Sequence, residues 1–120
     1  MNFPTNLPRT KKLNIKKNLR LGKRIRLNGL DMFIRENKDI SSYKPGVIIS
    51  KKISNKAVVR NKYKRIIREV FRLDFKDLTS KEIVFVVNKK ILDFDFNRTR
   101  KELSFARKRI TKWENYSSLF

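Results

Sequence analysis

The chain has 120 residues, with 32 Lys or Arg against 11 Asp or Glu, a formal net charge of +21. This length fits a single domain, 1–120, with a real but modest core. Cys and His are both absent. That excludes a disulfide framework, a thiolate metal site, a Cys nucleophile and any side chain whose ordinary pKa lies near neutrality.

The basic residues run from Arg9 to Lys112, so the charge belongs to a domain and not to a tail. Such a charge calls for a polyanionic partner, of which nucleic acid is the commonest. A membrane surface would also need an apolar face free to insert. No apolar run approaches a transmembrane span, and the start, with Pro4 and Pro8, has no signal-peptide core. Both observations fit a cytoplasmic protein with no membrane partner. The acids are scattered. Asp93 and Asp95 are the one close pair, and within Leu92-Asp93-Phe94-Asp95-Phe96 they read as a polar loop entering a helix. No protein active site and no protein-held metal are expected.

Residues 1–9 read as an irregular arm broken by two prolines. Thr10 is a candidate N-cap for a short helix over 11–21, with Leu13, Ile15 and Leu19 as a weak apolar face. Gly22 would end it in a left-handed conformation. Residues 23–36 look extended. In 30–36, Leu30, Met32 and Ile34 point one way and Asp31, Phe33 and Arg35 the other, a strand with one wet face. Phe33 either stacks on unpaired bases or joins a second small core beneath the first helix.

A polar connection at 37–43 leads to Pro45-Gly46 and a second strand over 47–53. Val47 and Ile49 would share the core side, with Ile48, Ser50 and Lys52 on the other. Two strands joined by a short polar loop should pair antiparallel. Ser54-Asn55-Lys56 is the turn and cap before the next helix.

Residues 57–72 form the most informative stretch. Val59, Tyr63, Ile66, Ile67, Val70 and Phe71 fall on one side of a helix. Asn61, Arg65, Arg68 and Arg72 fall on the opposite side, flanked by Arg60 and Lys64. Their rows repeat every helical turn, roughly 5.4 Å, so several cations can engage one phosphate backbone. A helix stabilised by its own ion pairs would interleave Glu with Lys. Here Glu69 is the only acid, and an unrelieved cationic row favours a polyanion over a merely solvated face.

After a polar connector, 82–88 is apolar on nearly every residue, as in a central strand covered on both faces. A loop at 89–96 leads to a last helix capped by Asn97. Thr99, Leu103, Ala106, Ile110 and Trp113 line one side of it, and residues 115–120 fray. The order α-β-β-α-β-α implies a small α+β domain.

The run Ser50-Lys51-Lys52-Ile53, then Arg60-Asn61-Lys62-Tyr63-Lys64-Arg65, then Arg68-Glu69 and Phe71, resembles the bacterial ribonuclease P protein subunit. The signature is a Lys-Lys strand end, a short turn, then Arg-Asn-Arg-x-Lys-Arg on a helix. The likeness covers roughly 11–110 with the same element order. It implies a small sheet flanked by helices, with a left-handed βαβ crossover around the motif helix, against the general rule. It also implies a catalytic RNA partner that holds Mg²⁺ and removes the 5′ leader of precursor tRNA, and no protein partner is implied. Lys51, Lys52, Arg60, Asn61, Lys62, Lys64, Arg65 and Arg68 would face that RNA, joined by Arg72 on the same helix face. A leader-binding cleft would use Ile15, Leu19, Phe33, Ile48, Ser50 and Lys52, which moves Phe33 toward function. Two positions depart from the family pattern. Lys62 stands where Arg is usual and lacks the planar fork for a bidentate phosphate contact. Ile15 and Leu19 stand where two Phe are frequent, and neither can stack on a base. The alternative reading is a ribosomal or RNA-assembly protein with a structural role only. A nuclease acting alone through Asp and Glu is a third, which the composition opposes.

Overall fold

The computed structural model describes residues 15–37, 45–76, 78 and 81–118, with side chains described as far as Lys112. The chain runs α1 (Ile15–Leu21), β1 (Lys23–Arg26), β2 (Leu30–Glu36), β3 (Gly46–Ile48), α2 (Ala57–Asp74), β4 (Lys81–Val87), a 3₁₀ turn (Lys89–Asp93) and α3 (Phe96–Ser118). The architecture is the expected α+β, with helices on a small sheet. The arm at 1–9, the Thr10 cap, Leu13, the 38–44 connection and the Trp113 side chain lie outside the described residues.

The four strands lie in the order β1-β2-β4-β3. β2 pairs antiparallel with β1 and β4, while β3 pairs parallel with β4. The expected antiparallel pairing of 30–36 with 47–53 is therefore wrong, because β4 lies between them. Four consecutive residues of β4, Glu82 to Phe85, are buried. A strand so apolar is most stable with a neighbour on each edge, and this outweighs the preference for pairing across a short loop. β3 and β4 are parallel neighbours joined through α2, a βαβ crossover.

Two local readings change. The extended stretch 23–36 folds on itself as a hairpin. Leu27 N donates to the Leu30 carbonyl at 3.0 Å, and Gly29 has φ +84°. Asn28-Gly29 is a hairpin pair, and it was the signal for this turn. The second strand is also shorter than expected. It stops at Ile48, and Ile53 N donates to the Ser50 carbonyl at 3.1 Å in a turn. Lys51 and Lys52 therefore sit in a turn, and the strand alternation does not extend to Ser50 and Lys52.

One face of the sheet carries Ile25, Leu30, Met32, Ile34, Val47, Ile83, Phe85 and Val87. Tyr63, Ile67 and Val70 of α2 and Leu103, Ala106 and Ile110 of α3 complete this core. Burying an aliphatic side chain of this size contributes about 1.5–3 kcal/mol. The connectors are less polar than they read. Phe75 is buried and stacks on Phe71 at 5.2 Å, and Ile91 and Phe94 are buried after β4. α3 is capped by Asp95 instead of Asn97, because Arg98 N donates to Asp95 Oδ1 at 2.7 Å. Its backbone stays helical to Ser118, so 115–118 extend the helix where fraying was expected.

α1 packs on β2 and β4 across the other face. Val84 alternates away from the main core, yet it is fully buried. Gly22 ends α1 without a left-handed conformation, since Gly29 alone has positive φ among the described glycines. Close approach explains Gly22 instead. A Cβ there would lie 2.5 Å from the Asn18 carbonyl oxygen and 3.0 Å from that of Ile34.

Candidate nucleic-acid interface

α2 divides its side chains as the spacing predicts. Tyr63, Ile67 and Val70 are buried; Val59, Ile66 and Phe71 pack partly buried against the core. Asn61, Arg65, Arg68 and Arg72 are exposed on the far side, and Lys64 is half-buried. The core thus fixes the direction of the cations. A depression of about 1060 Å³ runs beside them, lined by Asn61, Lys64, Arg65 and Arg68 together with Phe75 and Phe96.

Three cations of the expected set have specific surroundings. Arg60 is half-buried and donates through an Nη to the Ser54 carbonyl at 2.8 Å, bracing the turn against the helix. Lys62 is exposed, with its ammonium 5.6 Å from the Tyr63 ring centre. The Tyr63 hydroxyl in turn donates to the Leu92 carbonyl at 3.0 Å. Arg72 forks over Glu69 at 2.5 and 3.1 Å. Hydrogen bonding from Arg72 holds the Glu69 carboxyl below its ordinary pKa, and the same bond raises the Arg72 guanidinium.

The start of α2 adds more charge. Lys51 and Lys52 are exposed in the preceding turn, as is Lys56, the N-cap residue. Sequence reading treated Lys56 only as part of the turn. Its place one helical turn before Arg60 is the signal that could have included it. No side chain caps this helix end, though Ser54 Oγ accepts from Lys56 N at 3.2 Å.

The second expected surface lies on the α1 side of the sheet. Register places Phe33 between Arg24 and Val84, and Asp31 between Arg26 and Val86, which pairs with Ile48. Phe33 and Ile48 therefore share this face, both half-buried. Phe33 adjoins the buried Val84 and also has the Arg24 guanidinium 5.7 Å from its ring centre. Arg24 is held there by Asp31, at 3.0 Å from Nε. On α1, Leu19 is half-buried and Ile15 exposed, while Ser50 and Lys52 are exposed outside β3. Sequence reading missed Asn18, which is fully buried and whose Nδ2 donates to the Glu82 carbonyl at 2.9 Å. It also missed the pair between Arg35 and the buried Glu82. A polar residue between Lys17 and Leu19 gave little signal by itself.

Among the described residues, no three His, Cys, Asp or Glu side chains come together to hold a metal ion. Asp95 is engaged at the α3 cap. No described helix is long and apolar enough to cross a membrane.

These features define a class: a small basic α+β protein that presents one cationic helix face and a second, partly aromatic sheet face. The profile of the family Ribonuclease P matches residues 4–111, and the chain belongs to that family. It is 30% identical over 74 residues to a ribonuclease P protein component of Staphylococcus epidermidis, covering 62% of this chain and 64% of the relative. It is 39% identical over 57 residues to that of Staphylococcus aureus, covering 48% and 49%. The aligned stretches thus span less than two thirds of each relative. In structure it resembles the Staphylococcus aureus RNase P protein, with TM-score 0.70 at 25% identity over 79% of this chain and 86% of that one. It also resembles the Thermotoga maritima RNase P protein solved with 1-(4-fluorophenyl)-2-thiourea, with TM-score 0.71 at 27% identity over 87% and 98%.

Proposed function

We propose that this chain is the protein subunit of ribonuclease P, which binds the catalytic RNA and the 5′ leader of precursor tRNA and assists endonucleolytic removal of the leader in the cytoplasm. The observation that carries the reading is the α2 face, where Asn61, Arg65 and Arg68 stand exposed opposite a buried stripe. Lys64 flanks them, and Lys51, Lys52, Lys56 and Lys62 extend the charge around the helix start. Arg60 braces the turn that presents Lys51, Lys52 and Lys56. Such contacts position an RNA backbone and carry little sequence information.

The face bearing Phe33 and Ile48, beside Ile15 and Leu19 of α1, is the surface for single-stranded leader, with Ser50 and Lys52 at its edge. The half-buried Phe33 offers an aromatic surface next to a guanidinium, a combination that suits unpaired bases. The RNA holds the Mg²⁺ ions and performs the hydrolysis. The protein's part is to bind, orient and neutralise.

The test is reconstituted cleavage of precursor tRNA at low Mg²⁺, with the catalytic RNA alone, the protein alone and the two together. Cleavage at the mature 5′ end by the mixture only is expected. If the protein adds nothing, a structural RNA-binding role replaces this reading. If the protein alone cuts with metal, it is a nuclease in its own right.

A further inference from the structure

A second cationic surface lies on α3, outside the motif helix. Thr99, Glu102, Leu103, Ala106 and Ile110 are buried, which turns Lys101, Ser104, Lys108 and Thr111 outward on the opposite side. A groove of about 510 Å³ runs along this side, lined by Arg100, Lys101, Ser104, Arg107, Lys108 and, from α2, Asp74. Its charged lining is four cations against one acid. That acid is already engaged, because Arg100 forks over Asp74 at 2.9 and 2.7 Å. The other acid of this stretch, Glu102, is turned inward, where it accepts from Asn28 N at 3.0 Å. A solvated helix stabilised by its own charges would carry Glu four residues before Lys on this face, and none stands there.

The groove continues the cationic surface of α2. Asp74 is the last residue of α2, two positions beyond Arg72. Phe96 lines the depression beside α2, and its neighbour Asn97 lines the groove on α3. The Asp74–Arg100 fork stands at the junction and fixes the guanidinium at the groove edge. Lys101 and Lys108 are seven residues apart, about 10.5 Å along the helix, which is room for two separate phosphate contacts.

We propose that the α3 groove is a second phosphate-contacting surface for the catalytic RNA, so that the bound RNA passes over both helices and meets Lys101 and Lys108 beyond the α2 face. This rests on the reading of the chain as the ribonuclease P protein subunit.

The experiment is a salt titration of the full chain binding to the catalytic RNA. The wild type is compared with Lys101→Ala/Lys108→Ala, with Arg65→Ala/Arg68→Ala, and with Lys89→Ala/Lys90→Ala. The last pair is equally exposed and removes the same charge elsewhere. Each lost phosphate contact lowers the slope of log affinity on log salt by about 0.7–0.9. The α3 pair is expected to weaken binding about tenfold and to flatten the slope by about 1.5, while the 89/90 pair changes little. If the α3 pair behaves like the 89/90 pair while the α2 pair weakens binding, the groove is a solvated or protein-facing surface and this inference falls alone. If the α2 pair also changes nothing, the RNA-binding account itself fails. All substituted side chains are exposed, and unchanged thermal melts confirm that folding is retained.

Discussion

Asn18 Nδ2 donates to the Glu82 carbonyl at 2.9 Å, a bond between residues 64 positions apart that pins α1 to the central strand. It sets the first helix over the face that carries Phe33. Asn18→Ala removes this buried hydrogen bond between α1 and β4. A loss of about 1–3 kcal/mol in urea unfolding is expected. Binding of single-stranded leader should weaken more than binding of the catalytic RNA, and equal losses would contradict the assignment of α1 to the leader surface.

Gly22 tests the same docking from the backbone side. An added Cβ would meet the Asn18 carbonyl oxygen at 2.5 Å and Asn18 Oδ1 at 2.9 Å. The backbone carbonyls of Asn18 and of Ile34, the latter 3.0 Å from the added Cβ, cannot swing away as a flexible side-chain tip would. Gly22→Ala is expected to cost about 1–3 kcal/mol through overpacking, although its φ is not in the left-handed region. A neutral effect in thermal melts would show that α1 shifts freely.

Glu69 is the only acid on α2 before its last residue, and Arg72 depresses its pKa. The pair's contribution is present above the ordinary carboxylate pKa and is lost as pH falls through the depressed folded value. Both groups are exposed, so the effect on stability is small. The effect on binding is larger, because protonation of Glu69 removes a negative charge and releases Arg72 to phosphate. RNA affinity should rise as pH falls through that window. Glu69→Gln should tighten binding a few-fold at neutral pH and raise the salt slope by up to about 0.9. Unchanged affinity would place Arg72 outside the contact.

Ile67 is fully buried where α2 meets the sheet. Ile67→Ala is expected to destabilise by about 2–5 kcal/mol, read as a lower denaturation midpoint. RNA binding measured well below that midpoint should stay near wild type, since the side chain faces away from the cations.

The helices and the central strand were legible because their periodicities are strong. The α2 stripe, the alternation in β2 and the unbroken apolar run of β4 each admit one reading. Strand order was not legible, because the placement of β4 between β2 and β3 depends on which strand the core covers most completely. The hairpin at Asn28-Gly29 had a local signal that a longer extended reading concealed. Phe75 and Phe94 were assigned to connectors by their polar neighbours, whereas aromatic size alone favours burial. At the interface, the outward cations followed from helix spacing, and the resemblance assigned them to RNA. The Arg60–Ser54 and Asn18–Glu82 bonds needed coordinates, because neither residue type specifies a partner.

The most direct measurement is the protein concentration needed for half-maximal cleavage of precursor tRNA by the catalytic RNA at low Mg²⁺, for the wild type and for Arg65→Ala/Arg68→Ala. The account predicts that the protein stimulates cleavage at the mature 5′ end and that the variant, equally folded, needs about tenfold more protein or a higher Mg²⁺ concentration. Loss of two phosphate contacts has an effect of that order. Stimulation by both proteins at the same concentration would contradict the claim that the exposed face of α2 is the contact with the catalytic RNA.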